Sequence, residues 1–197
     1  MTAPGVGADE ITIERASPVH APAMAALWHA HLAQTRDEVD ASFTPALTPA
    51  QTAQRWAQAI GSGELLAWIA LAHAPAAGGD ATTPRDTAAL PGLRAPSAGA
   101  RLAGYLTAKV LAHDPLFADT FEYAPVLYLV DVDVDEAYRG RALARRLLAA
   151  AEQHARARGI RALELAAVAR DARAVEVWRK AGFEARSVVM RRAVTGD

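Results

Sequence analysis

The residues of this chain best suited to chemistry sit close together: the carboxylates Asp131 and Asp133, then Gly140 set among Arg139, Arg141, Arg145 and Arg146. Gly140 joins a β-type segment, LYLVDVDV from Leu127, to a basic amphipathic segment that reads as a helix. The first N–H groups of a helix have no intrahelical acceptor, and the helix dipole places partial positive charge at the same end. A phosphate docks there on backbone alone, and the arginines add formal charge nearby. On this segment by itself an ordinary strand-to-helix junction with a solvated arginine face is an equal reading.

The elements that must position these groups follow from periodicity. Val130, Val132 and Val134 alternate with Leu129, Asp131 and Asp133, which predicts a strand with one apolar face and one carboxylate face. Beyond Gly140, Ala144, Leu147, Leu148, Ala151 and Ala155 fall at helical spacing, and Arg158 and Gly159 supply end signals. Arg161 to Val168 reads as a further strand. Asp171 is then an N-cap, Ala174, Val175, Trp178 and Ala181 form one apolar stripe, and Gly182 stands where a left-handed residue closes a helix before a last strand through Val188, Val189 and Met190. Upstream, Ile11 and Ile13 mark a first strand, and Ser17-Pro18 opens a helix carrying Met24, Leu27, Trp28, His31 and Leu32. A second helix spans Pro49 to Ile60 and stops at Gly61-Ser62-Gly63. Leu65 to Ala72 and Leu102 to Ala112 form a hairpin pair. Residues 1–10 read as a flexible N-terminus. The Ala-, Gly- and Pro-rich stretch from Ala74 to Ala100 cannot bury enough apolar surface to offset its ordering entropy and reads as a mobile loop.

The two motifs taken together resemble the GNAT superfamily of acyl-CoA-dependent N-acetyltransferases. The family's phosphate motif, Q/R-x-x-G-x-G/A, is met at Gly140 and Ala142, with Ala137 at its first position. V-D-E-A-Y-R-G stands in the place of V-x-P-x-Y-R-G. The later signature N-x-x-A-x-x-x-Y-x-K-x-G-F is met at Ala174, Lys180, Gly182 and Phe183, with Asp171 for the Asn and Trp178 for the Tyr. The resemblance runs from Leu102 to Met190. It implies a single α/β (α+β) domain over residues 1–197, with a mixed, mostly antiparallel twisted sheet of about six to seven strands and about four helices. The sheet is expected to splay at the strand that binds the cofactor.

The resemblance also implies a division of labour. Backbone groups of Val132, Asp133 and Val134 would pair with the amide-bearing arm of acetyl-CoA, as a peptide adds to a sheet edge. The amides of Arg139, Gly140, Arg141, Ala142, Leu143, Ala144 and Arg145 would hold its pyrophosphate, with Asp171 and Trp178 beside the arm. A left-handed Ala142 would cost roughly 1 kcal/mol more than glycine, so Ala142 is expected to be already helical. The activity implied is direct transfer of an acetyl group from acetyl-CoA to a primary amine of a small molecule, a peptide N-terminus or a lysine. An alkylamine is only about one part in a thousand neutral at pH 7, a cost of about 4 kcal/mol, so a base is useful. Asp131 and Glu164 are the candidates. The leaving thiolate takes a proton from a tyrosine in much of the family, a role indole cannot fill, which leaves Tyr128, Tyr138 or Tyr105, with Tyr128 preferred, or an unassisted thiol. The departures at Ala137, Asp171 and Trp178 motivate the competing reading of a catalytically weak acyl-CoA-binding regulatory domain.

Composition bounds these readings. With 197 residues, 52% hydrophobic, the chain can bury a core without disulfides or metals. The net charge of −1 gives no global attraction to nucleic acid, although a nucleic-acid binder using the arginine helix is a third, weaker reading. Having no cysteine excludes a thiolate nucleophile and a Cys-ligated zinc. The six histidines form no ligand set and read as surface or capping residues, so no metal is expected. No window reaches the ~18 apolar residues of a membrane span, which makes a soluble, cytoplasmic protein the default. A homodimer is left open.

Overall fold

The computed structural model describes residues 10–39, 44–73, 100–112, 124–188 and 190. Contacts divide the chain into two units, one ending at Ala166 and one beginning at Ala167. The predicted loop at 74–100 and the flexible N-terminus at 1–10 lie outside the described residues, except that Glu10 and Ala100 each begin a strand.

The first unit is a five-stranded sheet in simple sequence order, β1 (Glu10–Arg15), β2 (Leu66–His73), β3 (Ala100–Leu111), β4 (Val126–Val134) and β5 (Ala162–Leu165). The first three pairings are antiparallel, and β4 to β5 is parallel. Helices α1 (Ala21–Glu38) and α2 (Pro49–Ser62) belong to one face, whose core unites Met24 with Ala67, Ile69, Leu71 and Tyr105 and is walled by Leu27, Trp28, Trp56 and Ile60. Helix α3 (Leu143–Ala157) packs on β2, β3 and β4. Its buried stripe is Leu143, Leu147, Leu148, Ala151 and Ala155. Ala144, expected in that stripe, is exposed, because the helix starts at Leu143 and a four-residue step from there to Leu147 and Ala151 leaves Ala144 to solvent. Helix starts follow the expected signals: Ser17 caps a 3₁₀ turn over Pro18–His20, and Thr48 caps α2 by accepting from the Gln51 amide at 3.3 Å.

In the second unit, α4 (Ala172–Lys180) is capped by Asp171, whose carboxylate accepts from the Ala174 amide at 2.8 Å. Gly182 is left-handed at φ 90°, and Trp178 meets Phe183 edge-on at 5.4 Å.

Two expectations need correction. The sheet has five strands among the described residues rather than six or seven. Residues 183–188 make no ladder, and Val188 and Met190 are 78% and 91% exposed, so the last strand expected through Val188, Val189 and Met190 is not formed among the described residues, which leave out Val189. The strand expected over 161–168 is only Ala162–Leu165. Among the described residues there are four α-helices, as anticipated.

Register shows how tightly β3 and β4 are held. Gly104 lies opposite Val134, and a Cβ added there would stand 2.7 Å from the Asp133 carbonyl oxygen, closer than carbon and oxygen can approach. Gly104→Ala must therefore push β4 away. The expected loss is about 1–3 kcal/mol of unfolding free energy, read as a lower urea midpoint at an unchanged slope; an unaltered midpoint would contradict this reading of the contact.

Candidate functional site

The site is built on an irregularity in β4. Thr107 pairs with Asp131 and Ala108 with Leu129, so Val130 is an extra residue, a β-bulge. Neighbours on β3 point to opposite faces, and paired residues share one, so Leu129 and Asp131 point to opposite faces. The alternation expected from sequence, with Leu129 on the carboxylate face, is thus broken at Val130, which is 47% exposed. Leu127 and Leu129 are buried on one face with Leu106 and Ala108, while Tyr128, Asp131 and Asp133 share the other with Tyr105 and Thr107. Glu164 pairs in register with Tyr128 and joins that face.

The bulge coincides with a change of partners. β5 pairs with β4 only from Val126 to Leu129. From Val130 to Val134, β4 is bonded to β3 on one edge and to no strand on the other among the described residues. This is the splayed geometry expected of the strand carrying Val132, Asp133 and Val134.

On the carboxylate face two acids are taken from water. Tyr105, fully buried, donates its hydroxyl to Asp131. Burial pushes the Asp131 carboxyl up to about 6, with neighbouring Asp133 adding to the rise and the Tyr105 hydrogen bond, His31 and the Val132 amide opposing it. Burial, and then the charge and hydrogen bond of Asp131, hold the Tyr105 phenol well above its usual value, so it stays protonated and its proton is committed to Asp131. Asp133 is 5% exposed; its Oδ1 accepts from the Val134 amide at 2.8 Å and lies 3.6 Å from His31 Nδ1. Its Oδ2 and His31 Nδ1 are buried without a hydrogen-bond partner among the described residues. Burial raises the Asp133 carboxyl too, opposed by His31, the Val134 amide and Arg139 and assisted by Asp135.

Sequence reasoning read His31 as a surface or capping residue. It stands instead beside Asp133, a placement that no spacing within α1 reveals, since it depends on how α1 crosses β4. His29 points elsewhere and bonds Thr52 of α2 at 2.9 Å, while His20 completes a cap with Ser17. No group of three or more His, Asp or Glu among the described residues could hold a metal.

The end of β4 leads through a 3₁₀ turn over Glu136–Tyr138 to the start of α3. Gly140 is left-handed at φ 78°, as a turn glycine should be. Ala142 is also left-handed, φ 56° and ψ 24°, and is the N-cap of α3, which corrects the expectation of a helical Ala142. The chain must reverse within this turn so that Leu143 enters the core at 2% exposure, and it does so at a backbone cost of roughly 1 kcal/mol. No side chain caps this end, and the first helical bond runs from the Arg146 amide to the Ala142 carbonyl at 3.1 Å. The amides of Ala142, Leu143, Ala144 and Arg145 therefore have no helical acceptor, and Ala144 leaves the approach to them open. An anion such as a pyrophosphate fits this uncapped end.

The arginines divide by task. Arg146 donates to the Ile11 carbonyl at 2.7 Å, Arg139 donates to the Val134 carbonyl at 3.4 Å, and Arg141 stacks on Tyr138 at 5.3 Å. Arg145 has no partner among the described residues, which leaves it as the free cation of the cluster. Asp171 and Trp178 belong to the second unit, where the Asp171 carboxylate is engaged as a helix cap and Trp178 packs on Phe183.

A mixed sheet whose β4 loses its partner midway and runs into an uncapped, glycine-led helix defines an α/β fold of the GNAT acetyltransferase type. Residues 93–183 match the Acetyltransferase (GNAT) family, a little under half of the chain, and the fold is that of GNAT acetyltransferases. No curated protein sequence matches it. Among solved structures, a tetramutant of the BH1408 protein from Bacillus halodurans aligns with a TM-score of 0.66 at 18% identity, covering 93% of this chain and 99% of that one. An aminoglycoside acetyltransferase from an uncultured soil metagenomic sample, in complex with sisomicin, aligns at 0.60 and 16% identity over 95% and 97%. The aminoglycoside N-acetyltransferase AAC(6')-Iy in complex with CoA aligns at 0.63 and 16% identity over 98% and 99%. Among the described residues no helix is long and apolar enough to cross a membrane.

The raised carboxyl of Asp131 has a thermodynamic consequence. Its folded value, about 6, lies above the ordinary 3.8, so the folded state binds the extra proton and stability is lost as pH rises through that window. Asp131→Asn keeps an acceptor for Tyr105 and removes the ionisation. Urea unfolding should show the variant gaining on the parent from pH 4 to pH 6 and holding the gain above, up to about 3 kcal/mol for a shift of roughly two units. A variant less stable than the parent at pH 8 would refute the assignment.

Proposed function

We propose that this protein is an acyltransferase that moves an acetyl group from acetyl-CoA directly to a primary amine of a small molecule, a peptide N-terminus or a lysine. The observation that carries this reading is one continuous stretch of chain: the edge of β4 beyond Leu129, unpaired among the described residues, leads through the Glu136–Tyr138 turn to the uncapped amides of α3. An extended, amide-bearing chain ending in a pyrophosphate fits both parts at once. Solved structures of similar fold bound to CoA and to an aminoglycoside support the substrate classes.

Acetyl-CoA, when bound, supplies the thioester carbonyl. Val132, Asp133 and Val134 would hold its arm through backbone groups, and the amides from Gly140 to Arg145, with the free Arg145 guanidinium, would hold its phosphates. Asp131 is assigned as the general base. An ionised carboxylate with a value of about 6 is present in most molecules at pH 7 and is a stronger base than an ordinary aspartate. It takes one proton from the acceptor ammonium, the neutral nitrogen forms the amide C–N bond as the C–S bond breaks, and CoA leaves as the thiol. One proton is released to solvent overall. Tyr105 keeps its own proton and positions Asp131. Tyr128 and Glu164 flank the same face and are proposed only as auxiliary groups, Tyr128 as a proton source for sulfur. The reading carries with it a cytoplasmic setting and one domain over residues 1–197.

The second reading, a weakly catalytic acyl-CoA-binding regulator, is favoured by Trp178 and by the Asp171 carboxylate already spent on the Ala174 amide. Thermal shift with acetyl-CoA and with CoA, followed by thiol release across a panel of amines, separates the two. We expect stabilisation by both ligands and a kcat/KM that rises through about pH 6 as Asp131 ionises, then rises further as the free amine is deprotonated. Asp131→Asn should lower kcat by about 10²–10⁴-fold with acetyl-CoA stabilisation intact. Stabilisation without thiol release from any amine would establish the regulator; no stabilisation at all would remove both readings.

A further inference from the structure

Where α1 meets β4, a buried histidine nitrogen faces a buried carboxylate, and the acetyl-transfer scheme uses neither side chain. Asp133, 5% exposed, has its Oδ1 bonded to the Val134 amide and its Oδ2 without a partner among the described residues. His31 Nδ1 is likewise buried and unpartnered among them, and it lies 3.6 Å from Oδ1. Leaving a buried donor and a buried acceptor unsatisfied is costly, and a shift of about half an ångström brings Nδ1 within hydrogen-bond distance of the carboxylate. Both the imidazolium and the neutral ring with hydrogen on Nδ1 can donate there. With Nδ1 buried, the 42% exposure of the His31 side chain belongs to the rest of the ring.

Asp131 and Asp133 share one face of β4 and feel each other's charge. Of two neighbouring buried acids, the one with the better-placed donors ionises first. The donors here are unequal. Asp131 receives the Tyr105 hydroxyl from β3, a group whose proton stays in place. Asp133 receives the Val134 amide and faces His31, with Arg139 favouring its ionisation and Asp135 opposing it. The charge of His31 reaches Asp131 as well. His29, also on α1, is turned to Thr52 of α2 and takes no part.

We propose that His31 is a positioning residue for acetyl transfer: it donates Nδ1–H to Asp133, holds that carboxylate as the ionised member of the pair, and leaves Asp131 as the member that takes and gives up the proton. Without this donor the charge on Asp133 loses support, the two acids share a proton up to higher pH, and Asp131 is less often free to accept one from the acceptor ammonium. His31 acts through Asp133 and does not touch the acceptor. The proposal rests on the acetyl-transfer reading for its effect on rate, whereas the ordering of the two acids does not.

The test is the acidic limb of kcat/KM for the parent, His31→Ala and His31→Asn, the last keeping an amide donor near the place of Nδ1. The full chain is assayed with acetyl-CoA and whichever of spermidine, sisomicin and phenethylamine the parent turns over fastest. Each variant is expressed as a ratio to the parent at the same pH, so the ionisation of the amine cancels. In His31→Ala the limb should move up by about one pH unit, a loss of roughly five- to tenfold between pH 5 and pH 6 and of less than about twofold at pH 8, and His31→Asn should recover much of it. A purely structural loss would be the same factor at every pH. A limb that does not move in His31→Ala, or a shift that His31→Asn leaves undiminished, overturns the proposal and leaves acetyl transfer standing. If no amine is acetylated, carbon NMR of the Asp131 carboxyl decides, its signal identified by its loss in Asp131→Asn. A titration midpoint raised in His31→Ala upholds the ordering of the acids while acetyl transfer fails; an unmoved midpoint overturns the ordering as well.

Discussion

One extra residue in β4 is the constraint on which the rest of this structure depends. With Val130 in the ladder and no bulge, a strict period of two would place Leu127, Leu129, Asp131 and Asp133 on a single face. Either the leucines would leave the α3 core, or two carboxylates would enter it. Each alternative is costly, the first through lost apolar burial and the second through desolvated, unpaired charge. The bulge removes the conflict by turning the strand once, so that leucines face α3 upstream and carboxylates face Tyr105 downstream. The parallel pairing with β5 ends at the same point, which leaves a backbone edge free beside the acids.

The acids gain their character from where the bulge puts them. They lie beside Tyr105, largely removed from water, and Asp133 stands close enough for its charge to raise Asp131. Burial outweighs the Tyr105 hydrogen bond at Asp131, which is why its carboxyl rises toward 6. His31 and Arg139 limit the same rise at Asp133.

Much of this was legible in the amino-acid sequence because the signals were local. Asp171 as a cap, Gly182 as a left-handed stop, Thr48 before Pro49 and the glycine turn at Gly140 each involve neighbours in the chain. What was not legible depends on partners distant in sequence. Alternation in β4 concealed the bulge, since an extra residue shows only against β3. Ala142 was expected to avoid a left-handed backbone on local cost alone, whereas burial of Leu143 decides its conformation. The pairing of Tyr105 with Asp131, and of His31 with Asp133, joins elements that the sequence separates. The valines near the C-terminus carry strand propensity, yet propensity without a ladder partner leaves Val188 in solvent.

The turn from Gly140 to Arg145 offers its donors through the main chain, while the opposite groups, on α1, α2 and the carboxylate face of β4, act through side chains. Point substitution reaches these two halves unequally. A main-chain cradle survives most replacements as long as the turn closes, so an anion site built there is buffered against drift. An exposed side chain such as Arg55 can be replaced without disturbing that cradle. On the acetyl-transfer reading, the main-chain cradle for the donor and the side chains facing an acceptor can therefore change independently of each other.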